Sequence, residues 1–128
     1  MKIKWRQAAW FPVRYAFCPN EMLFQKEMVR SGYLNNPYPD THACVVKYDD
    51  FRGDRCCLMT IHDDMFDGSE AVLIGLIVHE SVHIVEAVIQ KMQDEAPSEE
   101  FRAFATQAIF SELLTDIGAY RDIRKKRK

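Results

Sequence analysis

The longest uninterrupted apolar run in the chain, residues 71–78 (AVLIGLIV), continues through Ile84, Val85, Ala87, Val88 and Ile89 with polar positions between them. That spacing predicts a single helix of about six turns. Ser69 is placed to cap its start, and Pro97 lies just beyond its end. A second helical pattern follows. Ser98 caps a helix running to about Asp122, in which Phe101, Phe104, Ala105, Ala108 and Ile109 recur at helical intervals. Its apolar stripe should pack against the first helix.

Upstream the pattern shortens. Residues 1–18 read as irregular or extended and rich in aromatics (Trp5, Trp10, Phe11, Tyr15, Phe17). Asn20 caps a short helix over residues 21–30, which Ser31 and Gly32 stop. Residues 42–48 (HACVVKY) and 55–61 (RCCLMTI) have strand composition, and the turn between them, with Gly53, makes them an antiparallel hairpin. Asp63, Asp64, Asp67, Gly68 and Ser69 form an acidic turn into the long helix. The expected fold class is α+β. One domain over residues 1–128 holds a long helix packed on a C-terminal helix, with a small antiparallel sheet.

Charge and cysteine usage narrow the function classes. With 17 basic and 19 acidic residues interspersed, the net charge of −2 predicts a soluble protein with no overall pull towards nucleic acid or membrane, so function must come from a local site. The amino terminus starts basic and turns partly apolar like a signal peptide. Arg6, Pro12 and Arg14 interrupt it and no cleavage site follows, so a cytoplasmic location is expected. The 71–78 run is too short to cross a bilayer, and no membrane span is expected. Cys18, Cys44, Cys56 and Cys57 show no CxxC spacing and read as small buried hydrophobes in a reducing compartment. The alternative is a structural zinc site joining Cys56 or Cys57 to His62 or His42. The closing RDIRKKRK reads as a solvated helix end favoured by the helix dipole.

The chemistry lies inside the long helix, in the run His79-Glu80-Ser81-Val82-His83. Four residues advance a helix by slightly more than one turn, so both imidazoles project from one face and can bite a single ion. Glu80 points along the flank of that face, where it can take a proton from a metal-bound water instead of binding the metal. The alternative is two histidines on a buried helix, satisfied by hydrogen bonds. A catalytic zinc needs one more protein ligand. With the last helix's stripe centred near Phe101 and Ala108, Glu99 points almost directly away while Glu100 lies at the margin, and Ala103 keeps that side low. Glu100 is therefore preferred, with Glu99, His42, His62 or another acid as the other candidates.

HESVH and EFRAF (residues 100–104), with sixteen residues between His83 and Glu100, resemble the gluzincin pattern of HExxH plus a Glu from the next helix. The resemblance implies that Glu100 is the third ligand. It is closer still to small zincin-like metallopeptidases of phages and prophages, in which a strand pair precedes a VHE-VH helix and a PSxEFxAF-like stretch follows. Residues 96–109 (APSEEFRAFATQAI) carry that second block, and the likeness spans most of the chain. It implies a minimal zincin-type fold, Zn2+, a peptide or protein substrate, and the cytoplasm of a bacterial host.

The expected function is a zinc-dependent hydrolase cutting peptide bonds, with His79, His83 and Glu100 as metal ligands and Glu80 as general base. The alternatives are a catalytically silent zincin-fold binding module and an amidase acting on a cell-wall fragment. The strand over residues 55–61 is the expected edge for an extended substrate. Tyr33, Tyr38, Tyr120, His42 and His62 all qualify by chemistry as the oxyanion donor. Glu86 shares the histidines' face and Glu112 falls within the last helix's stripe. Either accepts a hydrogen bond from a ligand imidazole or pairs with Arg102 or another base.

Overall fold

The computed structural model describes residues 1–8 and 10–127. In chain order it holds β1 (Arg14–Cys18), α1 (Glu21–Arg30), β2 (Ala43–Asp49), β3 (Arg55–Ile61), a short 3-10 turn (Asp63–Asp67), α2 (Glu70–Met92) and α3 (Glu99–Arg127). The three strands form one sheet in the order β1-β3-β2. β2 pairs antiparallel with β3, Val45 opposite Met59, as the hairpin reading requires. β1 pairs parallel with β3, Phe17 opposite Met59, so the sheet is mixed and not purely antiparallel. The class is α+β.

Two expectations change with β1. Residues 14–18 are a strand, and Tyr15, Ala16, Phe17 and Cys18 are all buried. A strand covered on both faces has no polar alternation to betray it, which is why it reads as irregular. Its pairing also puts β3 in the centre of the sheet. The strand over residues 55–61 is thus not an edge; β2 is.

The sheet separates two apolar layers by its period of two. On one face Tyr15, Phe17, Cys57, Met59 and Ile61 pack with Leu73, Ile77, Ile84 and Val88 of α2 and the buried side of α3. On the other, Ala16, Cys18, Cys56 and Leu58 pack with Phe24 and Met28 of α1. By length and apolar content α2 alone would pass for a membrane span, but half of that stretch is buried inside the protein.

The caps form as the sequence dictates. Asn20 Oδ1 accepts from Leu23 N at 2.9 Å, Ser69 Oγ from Val72 N at 3.5 Å, and Ser98 Oγ from Phe101 N at 3.0 Å. α2 ends on Gln93 in the left-handed region, φ 57°. α3 runs to Arg127, past the expected end near Asp122. Its terminal turns are basic, with Arg121 and Arg124 paired to Glu70 and Asp67; Lys128, last residue of the basic tail, lies outside the described residues.

α3 is also rotated from its expected setting. Its buried stripe is Ala105, Ile109, Leu113 and Ile117, while Phe104 is 52% exposed. That stripe is turned by roughly 100° from one centred on Phe101 and Ala108. The aromatic side chains have a different partner: Phe11, from the amino-terminal segment, meets Phe101 and Phe104, and Trp10 stacks on Phe101.

Candidate metal centre

His79, Glu80 and His83 lie midway along α2, where the helix turns Glu80 towards the core and the two histidines towards solvent. Ile77, Ile84 and Val88 fix the buried side. Ser81 is held there too, its hydroxyl donating to the Ile77 carbonyl at 2.7 Å. The imidazoles emerge on the open side, and Glu80, only 6% exposed, sits between core and solvent. One ligand atom from each of the three side chains converges, all within 4.8 Å of one another.

The two imidazole Nε2 atoms stand 3.3 Å apart. Nitrogens bound at about 2.05 Å to one tetrahedral zinc are separated by about 3.3 Å, so the pair already has the bite such an ion needs. Glu80 makes no hydrogen bond and no ion pair among the described residues. Its carboxylate oxygens are not among the buried atoms that lack a partner, so they reach solvent on the open side although the residue as a whole is buried. Its charge is felt across the gap to the sheet: Cys44 on β2 has its thiol pushed up first by burial and then by Glu80. Glu80 therefore lies on the side of α2 that approaches the edge strand. Comparison with family models, curated proteins and solved structures gives no match for this chain.

Towards α3 the surroundings differ. Glu86, one turn beyond His83, is paired with Arg102 of α3, both side chains well exposed. Val82, Val85, Glu86, Glu99, Arg102 and Ala103 help line a groove of about 630 Å3 along this seam. Glu99 thus faces the groove. Glu100 is exposed in the first turn of α3 and lies outside the converging group of three. The wheel argument preferring Glu100 over Glu99 rested on the Phe101–Ala108 stripe; with the observed stripe, Glu100 lies nearly opposite the buried side.

The other candidates are engaged elsewhere. Glu112 accepts from Tyr15 OH at 2.8 Å and from Arg6 at 3.4 Å, in a network with Asp116 that ties the amino terminus to α3; no imidazole is involved. Tyr33 OH donates to the Asp49 carbonyl, and Tyr120 OH to Asp63 at 3.4 Å. Tyr38 packs edge-on to Phe24, and burial pushes its hydroxyl up to about 12. His62 caps the 3-10 turn through Nδ1 and shares a small pocket with His42, Asp40 and Asp64. None of these joins the converging group. Cys18, Cys56 and Cys57 are buried, and burial raises their thiols to about 12, 12 and 11, which keeps them protonated at neutral pH. Among the described residues no cysteine belongs to a metal-ligating group.

Sequence reasoning overlooked one feature of the site: the edge strand beside α2 is β2, a fact carried only by the long-range pairing of β1. The pairing of Glu86 with Arg102, one of the two expected roles for Glu86, forms.

Proposed function

We propose that this chain is a zinc-dependent hydrolase of minimal zincin type that cleaves a peptide or similar amide bond. The reading is carried by one observation: two exposed imidazoles set at the bite of a tetrahedral ion, with the Glu80 carboxylate beside them and engaged by no protein donor. His79 and His83 hold the metal, and the resemblance implies Glu100 as a third ligand. Bound there, Zn2+ lowers the pKa of its water and polarises a carbonyl. Glu80 would accept the proton of that water at its carboxylate and return it to the leaving amine. An extended substrate lies along the outer edge of β2, the strand nearest Glu80, with its backbone amides as the specificity-neutral contact. Peptides and proteins are the substrates this edge suits.

Zinc titration and peptide cleavage test the reading together. Wild type should bind about one zinc per chain and cleave; His79→Ala and His83→Ala should lose both, and Glu80→Gln should keep zinc and lose cleavage. A folded wild-type protein that takes up no zinc from excess ion would sink the proposal. A second reading, a zincin-fold binding module without chemistry, is favoured by one observation: the α3 side chain reaching towards the histidine face is a cation, Arg102. Partner capture that is equal in wild type and Glu80→Gln, with no cleavage by either, would decide for it.

A further inference from the structure

We infer that Glu86 is the third metal ligand of this site, and that Arg102 is a latch holding it away until the ion arrives. This rests on the metal-binding reading above and departs from it in drawing all three ligands from one helix. His79, His83 and Glu86 stand at positions i, i+4 and i+7 of α2. At about 100° per residue, Glu86 lies within roughly 20° of His79 around the helix axis, so the three share one face. Side chains on a helix lean towards its amino terminus. Glu86, being carboxy-terminal to both histidines, can lean back towards them once released, although its carboxylate is now held on Arg102 outside the converging group.

What occupies its carboxylate is the Arg102 guanidinium, across the α2–α3 seam. Both partners are substantially exposed, 45% for Arg102 and 39% for Glu86. An ion pair in that setting contributes little net stability, so exchanging it for a bond to a divalent cation is favourable. The alternatives on α3 are less well set. Glu100 points away from the seam, and a ligand arriving from the position of Arg102 is replaced by a positive charge that opposes a metal ion. Among the described residues of α2, Glu86 is the acid that shares the histidine face and lies within a turn of His83.

The exchange makes metal affinity depend on a residue that never touches the metal. Zinc affinity by chelator competition, with the visible spectrum of the Co2+ form as a measure of coordination, tests it on the full chain at neutral pH. Arg102→Met should bind zinc at least about tenfold more tightly than wild type, because Glu86 is released. Glu86→Gln should bind at least about tenfold more weakly and alter the Co2+ spectrum, Glu100→Gln should match wild type, and Arg102→Met with Glu86→Gln should show no gain. Far-ultraviolet circular dichroism on each variant verifies that the helices are intact. A gain that persists in the double variant, an Arg102→Met affinity equal to wild type, or a loss in Glu100→Gln matching that in Glu86→Gln would each overturn the assignment. Zinc binding by no variant would sink the metal reading itself, whereas zinc lost with His79 and His83 but indifferent to Glu86 would sink only this inference.

Discussion

The two faces of the sheet each bury one glutamate, and the two are buried to the same degree: Glu27 at 5% exposure beneath α1 and Glu80 at 6% on α2. Their surroundings could hardly differ more. Glu27 accepts four hydrogen bonds, from Arg30 Nε and Nη2 at 3.1 and 2.8 Å, from Ser31 Oγ at 3.1 Å and from Tyr48 OH at 2.7 Å. Glu80 accepts none among the described residues. A buried acid whose acceptor sites are filled is part of the scaffold, since each donor offsets the loss of water. An acid whose carboxylate meets solvent and two imidazoles instead of protein donors is available for chemistry. Burial of the residue alone, then, does not mark a functional acid; a carboxylate left without protein donors beside two imidazoles does.

Reciprocal substitutions separate the two most sharply. Glu80→Gln should reduce cleavage about a hundredfold or more while leaving resistance to urea unchanged, because no protein hydrogen bond or ion pair is lost. Glu27→Gln should do the reverse, lowering unfolding free energy by about 2–3 kcal/mol with zinc affinity intact, since an amide cannot accept from all of these donors. Urea titration and the zinc assay on both variants measure the cross. If Glu80→Gln destabilises as strongly as Glu27→Gln, the two acids are both structural and the contrast collapses.

Of these two acids only Glu80 and its helix are legible in the sequence; the donors around Glu27 are not. The α2 helix, its cap at Ser69 and the pairing of His79 with His83 depend on residues within two turns of one another, and local periodicity carries that information. The hairpin of β2 and β3 is local for the same reason. What was not readable depends on distant partners. The parallel pairing of β1 with β3 joins segments some forty residues apart, and a strand buried on both faces lacks alternation. The phase of α3 was misread because Phe101 and Phe104, the largest apolar residues of its first turns, turn towards Trp10 and Phe11 and not towards α2. That error moved Glu100 towards the seam, so the third ligand was the least legible part of the site.

A milder break of the scaffold side is Tyr48→Phe. It removes one of the four donors and leaves Glu27 with Arg30 and Ser31, so the loss should be about 1 kcal/mol. Burial, and then the bond to Glu27, raise the Tyr48 hydroxyl well above its usual range, so it remains a donor throughout the neutral and mildly alkaline range. Chemical denaturation of Tyr48→Phe against Glu27→Gln and the double variant gives the coupling. A double variant no worse than Glu27→Gln alone is the expected result, and strict additivity would show that the hydroxyl acts on some other group.

The smallest effect expected belongs to Asp50, whose carboxylate organises the β2–β3 turn on the same scaffold side. Oδ1 accepts from the backbone N–H of Arg52 at 2.8 Å and of Asp54 at 3.0 Å, and Oδ2 from Arg14 at 3.4 Å. Burial opposes ionisation of this carboxyl, but the backbone donors of Asp54 and Arg52, helped by the charges of Arg52 and Arg14, outweigh it and hold the group below its usual range. The folded value lies below the unfolded one, so the stabilisation is fully present above the unfolded value of about 3.9 and is lost as pH falls towards the folded one. Asp50→Asn should therefore be less stable than wild type at pH 6, and the gap should narrow as both are taken below about pH 4. Thermal unfolding of both proteins from pH 6 to pH 3 measures it. A gap that stays constant over that range would mean that the turn is held by its backbone geometry and that the charge of Asp50 contributes nothing, leaving Glu27 as the one acid on which this face of the sheet depends.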